Sequence, residues 1–201
     1  MIVISYGTMA LIAVLLWIGI RFYLNFKKDK TDWRWEFRLL TILFSALLVL
    51  RVSFFPWAAE GGNIQPLVFN AHKLLPMRLN ILPFVHMFDS AETVQKALVG
   101  NILLAMPFGL ALVYCFEKYR SWKKIVLTGL IAAASTELLQ LFFYNAVTDI
   151  DDLITLTIGI TAGYGVYLLI LRIIRLIADR RKPADEKPAY EEISDDDLTE
   201  I

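Results

Sequence analysis

Five stretches of the chain are apolar and long enough to cross a lipid bilayer. They cover residues 1–26, 39–58, 97–116, 124–144 and 153–177 of the 201 residues. A hydrocarbon core about 30 Å thick needs roughly 20 helical residues. Lipid offers no hydrogen bonds to the backbone, so spanning segments of this kind must be helical. The pattern therefore predicts an all-α integral membrane protein, a bundle of five transmembrane helices.

Composition excludes several other classes of protein. Hydrophobic residues make up 57% of the chain and charged residues 20%, whereas soluble domains are closer to half apolar and a quarter charged. The formal net charge is zero, which provides no basic field for a nucleic acid. The single cysteine, Cys115, cannot form an intramolecular disulfide and is expected to act as a small apolar side chain. A soluble enzyme, a disulfide scaffold and a nucleic-acid binder are thus excluded.

Lysine and arginine are concentrated in alternate connections between the spans. Sixteen of the 20 basic residues lie after the first span, between the third and fourth, or after the fifth. The positive-inside rule places these segments in the cytoplasm. We therefore expect the N-terminus outside and the C-terminus in the cytoplasm. The sixteen residues are Arg21, Lys27, Lys28, Lys30, Arg34, Arg38, Lys118, Arg120, Lys123, Lys124, Arg172, Arg175, Arg180, Arg181, Lys182 and Lys187.

The spans divide the chain into four parts. Residues 1–58 are expected to form two N-terminal transmembrane helices joined by a basic cytoplasmic link. Residues 59–96 form an extracytoplasmic segment at the membrane interface, interrupted by three prolines. Residues 97–178 supply three more transmembrane helices. Residues 179–201 are acidic and poor in apolar residues, so we expect a disordered cytoplasmic tail.

Two local patterns add detail to the last three spans. Asp89 and Glu92 have the spacing of a capping box, which predicts that the third helix begins before residue 97. Thr155, Gly159 and Gly163 recur every four residues in the fifth span. Small residues at this spacing favour close helix packing, which would hold the preceding aspartates near the centre of the bundle.

Polar and ionisable side chains gather near the outer ends of the spans. An ionisable residue inside a span costs about 2.5–3.5 kcal/mol on insertion scales, so it needs a partner or a function. Arg51 and Glu137 lie in the outer halves of their spans, and Gln140 shares a helical face with Glu137. We expect one ligand-binding cluster open to the outer leaflet. Its candidate members are Arg51, Arg78, Asn80, Asn101, Glu137, Gln140, Asp149, Asp151 and Asp152.

The candidate cluster carries charges of both signs. Arg51 and Arg78 have the forked donors that bind carboxylates and phosphates. The carboxylates could orient those arginines, accept hydrogen bonds from hydroxyl or ammonium groups, or hold a divalent cation. No cofactor and no dedicated metal site are predicted, because His72 and His86 lack partners at ligand spacing.

Each candidate also has a structural alternative. Arg51 could pair with Glu137 to reduce the cost of membrane insertion. Gln140 and Asn101 could serve as hydrogen-bonding residues between helices. The three aspartates precede the fifth helix, where acidic side chains stabilise the positive end of the helix dipole.

Five short blocks of sequence resemble the VanZ-like family of bacterial membrane proteins. They are residues 78–84, 100–104 with 107–109, 135–140, 149–154, and 159 with 163–164. The resemblance covers residues 78–167. It implies a location in the bacterial plasma membrane and an association with resistance to glycopeptide antibiotics, teicoplanin in particular.

Three functions remain open at this point. The favoured one is a non-enzymatic protein that binds an envelope lipid, a lipid-linked cell-wall precursor or a lipid-tailed glycopeptide at the outer leaflet. An enzyme with Glu137 or Asp151 as general base is the second, although no nucleophile constellation or phosphate-binding glycine loop is evident. A small ion-coupled transporter using Glu137 and Arg51 is the third, although five spans are few and no inverted repeat is visible.

Overall fold

The computed structural model describes most of the membrane-spanning part of the chain. The described residues are 2–26, 31–55, 66–69, 79–80, 91–143 and 148–181. Arg78, most of residues 59–96 and residues 182–201 of the predicted tail lie outside them. Residues 179–181 were also expected in the disordered tail, but they continue the last helix to Arg181. The chain divides into two compact units, Met1–Tyr167 and Leu168–Ile201, and the site described below belongs entirely to the first unit.

The described chain is mostly helical, as expected. Among the described residues, four helices are long and apolar enough to cross a membrane, namely Tyr6–Phe26, Trp33–Phe54, Leu98–Cys115 and Ile150–Arg180. The protein is therefore a membrane protein. The helices are α1 (Tyr6–Phe26), α2 (Trp33–Phe54), α3 (Ala91–Cys115), α4 (Trp122–Gln140) and α5 (Ile150–Arg181), with a short 3-10 turn at Glu117–Tyr119.

Polar side chains determine where the first two helices begin. The Oδ1 atom of Asp32 accepts hydrogen bonds from the backbone N–H groups of Arg34 (3.0 Å) and Trp35 (3.2 Å), which caps α2. The Ser5 hydroxyl accepts from the backbone N–H of Thr8 at 3.2 Å and caps α1. The expectation that α3 starts before residue 97 is confirmed by its first residue, Ala91.

Four short strands depart from the all-helical expectation. The strand β1 (Ile2–Ile4) pairs antiparallel with β2 (Leu67–Phe69). The strand β3 (Leu79–Asn80) pairs in parallel with β4 (Thr148–Asp149). Helical structure throughout residues 1–26 was therefore a wrong prediction for the first few residues, because a partner distant in sequence pairs with them before the Ser5 cap.

The helices α1 and α2 run in opposite directions. Near the start of α1, the Tyr6 hydroxyl donates to the carbonyl of Leu47 in the second half of α2 at 3.3 Å. Near the end of α1, Arg21 forms a two-pronged ion pair with Glu36 at the start of α2.

The alternation of direction continues through the remaining helices. At the end of α3, the Cys115 thiol donates to the carbonyl of Arg38 near the start of α2 at 3.2 Å. Trp122 at the start of α4 packs edge-on against Tyr164, well along α5, with ring centroids 4.8 Å apart. We call the end of the bundle where α1, α3 and α5 start the polar end, and the opposite end the basic end.

Glycine residues let α3 and α5 approach closely. A Cβ at Gly159 would lie 2.6 Å from the carbonyl oxygen of Ile102 and 2.8 Å from the Cβ of Ala105. A Cβ at Gly109 would lie 2.7 Å from the backbone carbon of Ile160. The prediction that the small residues of the fifth span serve close packing is confirmed, and this packing sets the first turn of α5 beside α3.

Candidate functional site

The helix α4 turns Thr136, Glu137 and Gln140 inward. Its buried residues are Ile125, Gly129, Ala133, Thr136, Glu137 and Gln140. These positions recur every three or four residues, so they share one face of the helix. The side chains of Glu137 and Gln140 are only 5% and 2% exposed, whereas Leu138 and Leu139 point away from the bundle and are exposed.

Glu137 holds the short connection that precedes α5. Its Oε2 atom accepts a hydrogen bond from the backbone N–H of Asp149 at 2.9 Å. The Thr148 hydroxyl donates to the backbone carbonyl of Glu137 at 3.2 Å. A buried carboxylate on one helix therefore fixes the position of β4.

Asp149 links three segments of the chain. Its Oδ2 atom accepts from the side-chain amide of Asn80 at 3.1 Å, and its Oδ1 atom accepts from the backbone N–H of Asp151 at 2.9 Å. The second bond caps the start of α5. The capping role that we considered for this aspartate is thus present, together with a contact to Asn80 of β3.

The first turn of α5 is also fixed to α3. The Asn101 side-chain amide donates to Oδ1 of Asp152 at 2.8 Å. Asp151 is buried, and the Thr155 hydroxyl donates to its carbonyl at 2.8 Å. Asn101 therefore makes the hydrogen bond between helices that we weighed as its structural alternative.

Gln140 connects α4 to the end of α2. Its side-chain amide donates to the carbonyl of Ser53 at 2.6 Å. Arg51 lies two residues earlier on α2, and its guanidinium carbon is 5.8 Å from the centre of the Tyr6 ring. Arg51 thus faces the start of α1, on the same polar end as Gln140.

Some buried polar atoms at this end have no hydrogen-bond partner among the described residues. They include Oε1 of Glu137, Oε1 of Gln140 and Oγ of Ser53. Leaving a buried polar group unsatisfied costs about 1–3 kcal/mol. Unsatisfied acceptors that persist in a folded structure therefore suggest a position where a ligand or water supplies the donor.

The structure joins most of the candidate residues through a small number of contacts. Direct bonds connect Glu137 with Asp149, Asp149 with both Asn80 and Asp151, and Asn101 with Asp152. Gln140 binds the end of α2 that carries Arg51. Arg78 lies outside the described residues. We call this set of described residues the polar cluster.

Three residues that contact the polar cluster were not among the candidates predicted from the sequence. Tyr6 contacts Arg51, Ser53 accepts from Gln140, and Thr148 donates to Glu137. Ser53 and Thr148 each lie within two residues of a candidate, which was the available signal. Among the described residues, no group of three or more His, Cys, Asp or Glu side chains could hold a metal ion.

Comparison with known proteins places the chain in a family. The family model VanZ/LLP1 matches residues 37–172. The chain is also similar to Protein VanZ of Enterococcus faecium, with 31% identity over 100 residues. That match covers 50% of this chain and 56% of the relative, so the chain spans about half the length of this curated relative. No solved structure matches significantly. Because the family model covers well over half of its residues, the chain belongs to the VanZ/LLP1 family.

Proposed function

We propose that this protein is a multi-pass plasma-membrane protein whose polar cluster binds an envelope lipid, a lipid-linked cell-wall precursor or a lipid-tailed glycopeptide at the outer leaflet. Through this binding it contributes to resistance against teicoplanin-type antibiotics. Membership of the VanZ/LLP1 family supports the link to resistance. The polar cluster supports a binding role, because buried polar side chains from several segments meet at one end of the bundle.

In this proposal α4 also crosses the membrane, which brings the number of spans to five. Its 19 residues extend roughly 28 Å at about 1.5 Å per residue, which is close to the thickness of the hydrocarbon core. Glu137 and Gln140 lower its mean hydropathy, but both face the interior of the bundle. The outward face carries the exposed apolar residues Leu127, Leu130, Ile131, Leu138 and Leu139, as contact with lipid requires.

The polar end then faces outward. Basic residues lie at the opposite end, including Arg34, Arg38, Lys118, Lys123 and Lys124, and the positive-inside rule assigns that end to the cytoplasm. The pairing of β1 with β2 agrees with this orientation, since it joins the N-terminus to the segment assigned outside. The polar cluster would then lie on the same side of the membrane as a ligand in the outer leaflet or the cell wall.

The single observation that carries the proposal is the pair of buried acceptors on Glu137 and Gln140, for which the described part of the chain provides no donor. They lie three residues apart on the same inward face of α4. A sugar, an amine or a peptide amide would supply the donors that these oxygens lack. Arg51 and Arg78 would bind an anionic group of the same ligand.

Resistance to teicoplanin provides the direct test. In a host that lacks the protein, we expect the wild-type chain to raise the minimum inhibitory concentration of teicoplanin several-fold. Glu137→Gln should abolish that gain, because one amide oxygen still accepts from the Asp149 N–H while an NH2 group replaces the free acceptor. Glu117→Gln is the matched control, since this glutamate is exposed near the basic end and bonds only to Arg120 among the described residues.

Two outcomes would contradict the proposal. The first is full resistance with Glu137→Gln at wild-type levels of protein in the membrane. The second is an equal loss of resistance with Glu117→Gln, which would assign the effect to charge removal in general.

Binding measured on the purified protein separates the binder from the enzyme. A carboxylate that acts only as general base is needed for turnover, so Glu137→Gln should then keep the thermal shift produced by candidate lipids. In the proposed binder, the same substitution removes the thermal shift as well. Retained binding with lost turnover would favour the membrane enzyme.

A further inference from the structure

A second recess lies near the basic end of the bundle, between α2 and α3. It is an open groove of about 460 Å³ lined by Arg34, Phe37, Arg38, Thr41 and Tyr114. The four α2 residues stand at positions i, i+3, i+4 and i+7 counted from Arg34, so they share one face of the helix. Tyr114 closes the groove from α3. None of these residues belongs to the polar cluster.

The groove has a positive charge that the described residues around it do not neutralise. Arg34 and Arg38 are both exposed and lie one helical turn apart. Among the described residues, neither guanidinium has a carboxylate partner. The neighbouring carboxylates are engaged elsewhere, because Glu36 binds Arg21 and Asn25 of α1 and Asp32 caps α2.

The donors in the groove match a phosphate group. Each guanidinium presents a planar fork that binds two phosphate oxygens at once. The Thr41 hydroxyl already donates to the carbonyl of Arg38 at 2.6 Å, so it forms part of the wall. The available donors are therefore the two guanidinium groups and the Tyr114 hydroxyl.

The remaining walls suit a lipid better than a soluble anion. The side chain of Phe37 is 68% exposed and that of Tyr114 is 48% exposed. Nearby Trp33 and Trp122 are exposed as well. Aromatic residues of this kind collect at the boundary between headgroups and acyl chains. An apolar wall beside two arginines thus fits a headgroup with attached chains.

From this arrangement we propose that the groove between α2 and α3 binds the phosphodiester headgroup of an anionic phospholipid of the cytoplasmic leaflet. The charge of the groove selects anionic over zwitterionic lipids, as juxtamembrane basic clusters do. Phe37 and Tyr114 pack against the glycerol and the first part of the acyl chains. The site is independent of the ligand bound at the polar end.

Native mass spectrometry of the full chain in detergent tests the lipid site. The protein is incubated with equal amounts of phosphatidylglycerol and phosphatidylcholine of identical acyl chains, and bound lipids are counted. We expect the wild type to retain phosphatidylglycerol at least several-fold better. The double variant Arg34→Gln/Arg38→Gln should lose that preference. The control Lys123→Gln/Lys124→Gln removes the same charge from exposed residues outside the groove and should keep it.

Equal loss of preference in the two double variants overturns the proposal, because general charge would then explain the binding. Displacement of the lipid by inorganic phosphate also overturns it, since the groove would then hold a soluble anion. Should the arginine pair fail to fold, Arg34→Gln alone, in the exposed first turn of α2, must lower the preference for phosphatidylglycerol.

Discussion

Asn101 and Asp152 illustrate how single side chains hold the polar end together. The amide of Asn101 donates to the half-buried carboxylate of Asp152 at 2.8 Å, across the contact between α3 and α5. The sequence indicated that both residues lie near the outer boundary. It offered no means of pairing them, because 51 residues separate the two positions.

Removal of this amide should destabilise the protein. We expect Asn101→Ala to lower the free energy of unfolding by about 1–3 kcal/mol, because the Asp152 carboxylate loses a donor in a partly buried position. Denaturant unfolding in detergent measures the change. Ser135→Ala serves as the control, since that hydroxyl is exposed and bonds only to the Ile131 carbonyl of its own helix. Equal stability of the two variants would show that the bond contributes nothing measurable.

The packing of α3 against α5 depends on glycine at particular positions. Gly159 faces the backbone of α3 directly, whereas a Cβ at Gly165 would find only the edge of the Trp122 ring, at 3.8 Å. Both glycines lie in the same helix and have the same intrinsic helix propensity. Their surroundings therefore predict opposite responses to the same substitution.

Alanine at the two glycines provides a matched comparison. We expect Gly159→Ala to lower stability by about 1–3 kcal/mol, because the added methyl group forces α3 and α5 apart. Gly165→Ala should leave stability unchanged or raise it by up to about 1 kcal/mol through helix propensity. Thermal unfolding in detergent compares them, and a Gly159→Ala variant as stable as Gly165→Ala would contradict the packing described here.

The helices could be located from the sequence because apolar runs of this length leave a membrane chain few alternatives. The strands could not be located from the sequence. Ile2–Ile4 and Leu67–Phe69 are too short to show a period of their own, and each forms only because its partner is brought near. The same holds for the two-residue pair at Asn80 and Asp149.

The arrangement of the whole bundle predicts on which side of the membrane each connection lies. Lys123 lies in the first turn of α4 and Phe142 just after its last residue, and both are exposed. If α4 crosses the membrane as proposed, the two residues are on opposite sides. In a Cys115→Ser background, Phe142→Cys should react with a membrane-impermeant maleimide in intact protoplasts, and Lys123→Cys only after permeabilisation.

Reaction of both cysteines under the same condition would mean that α4 does not cross the membrane. The number of spans would then be four, and the orientation of the polar cluster would need to be assigned again. The Cys115→Ser background is itself suitable, because a serine hydroxyl can still donate to the Arg38 carbonyl that the thiol contacts.

Composition and periodicity were sufficient to identify a helical membrane protein and the approximate positions of its helices, and they predicted that polar residues cluster towards one side. These properties are local, since hydropathy and charge act on each segment independently of its neighbours. Which amide binds which carboxylate is a different kind of property. Asn80, Asn101, Glu137 and Asp149 come from separate segments, and only the tertiary structure decides which of them meet.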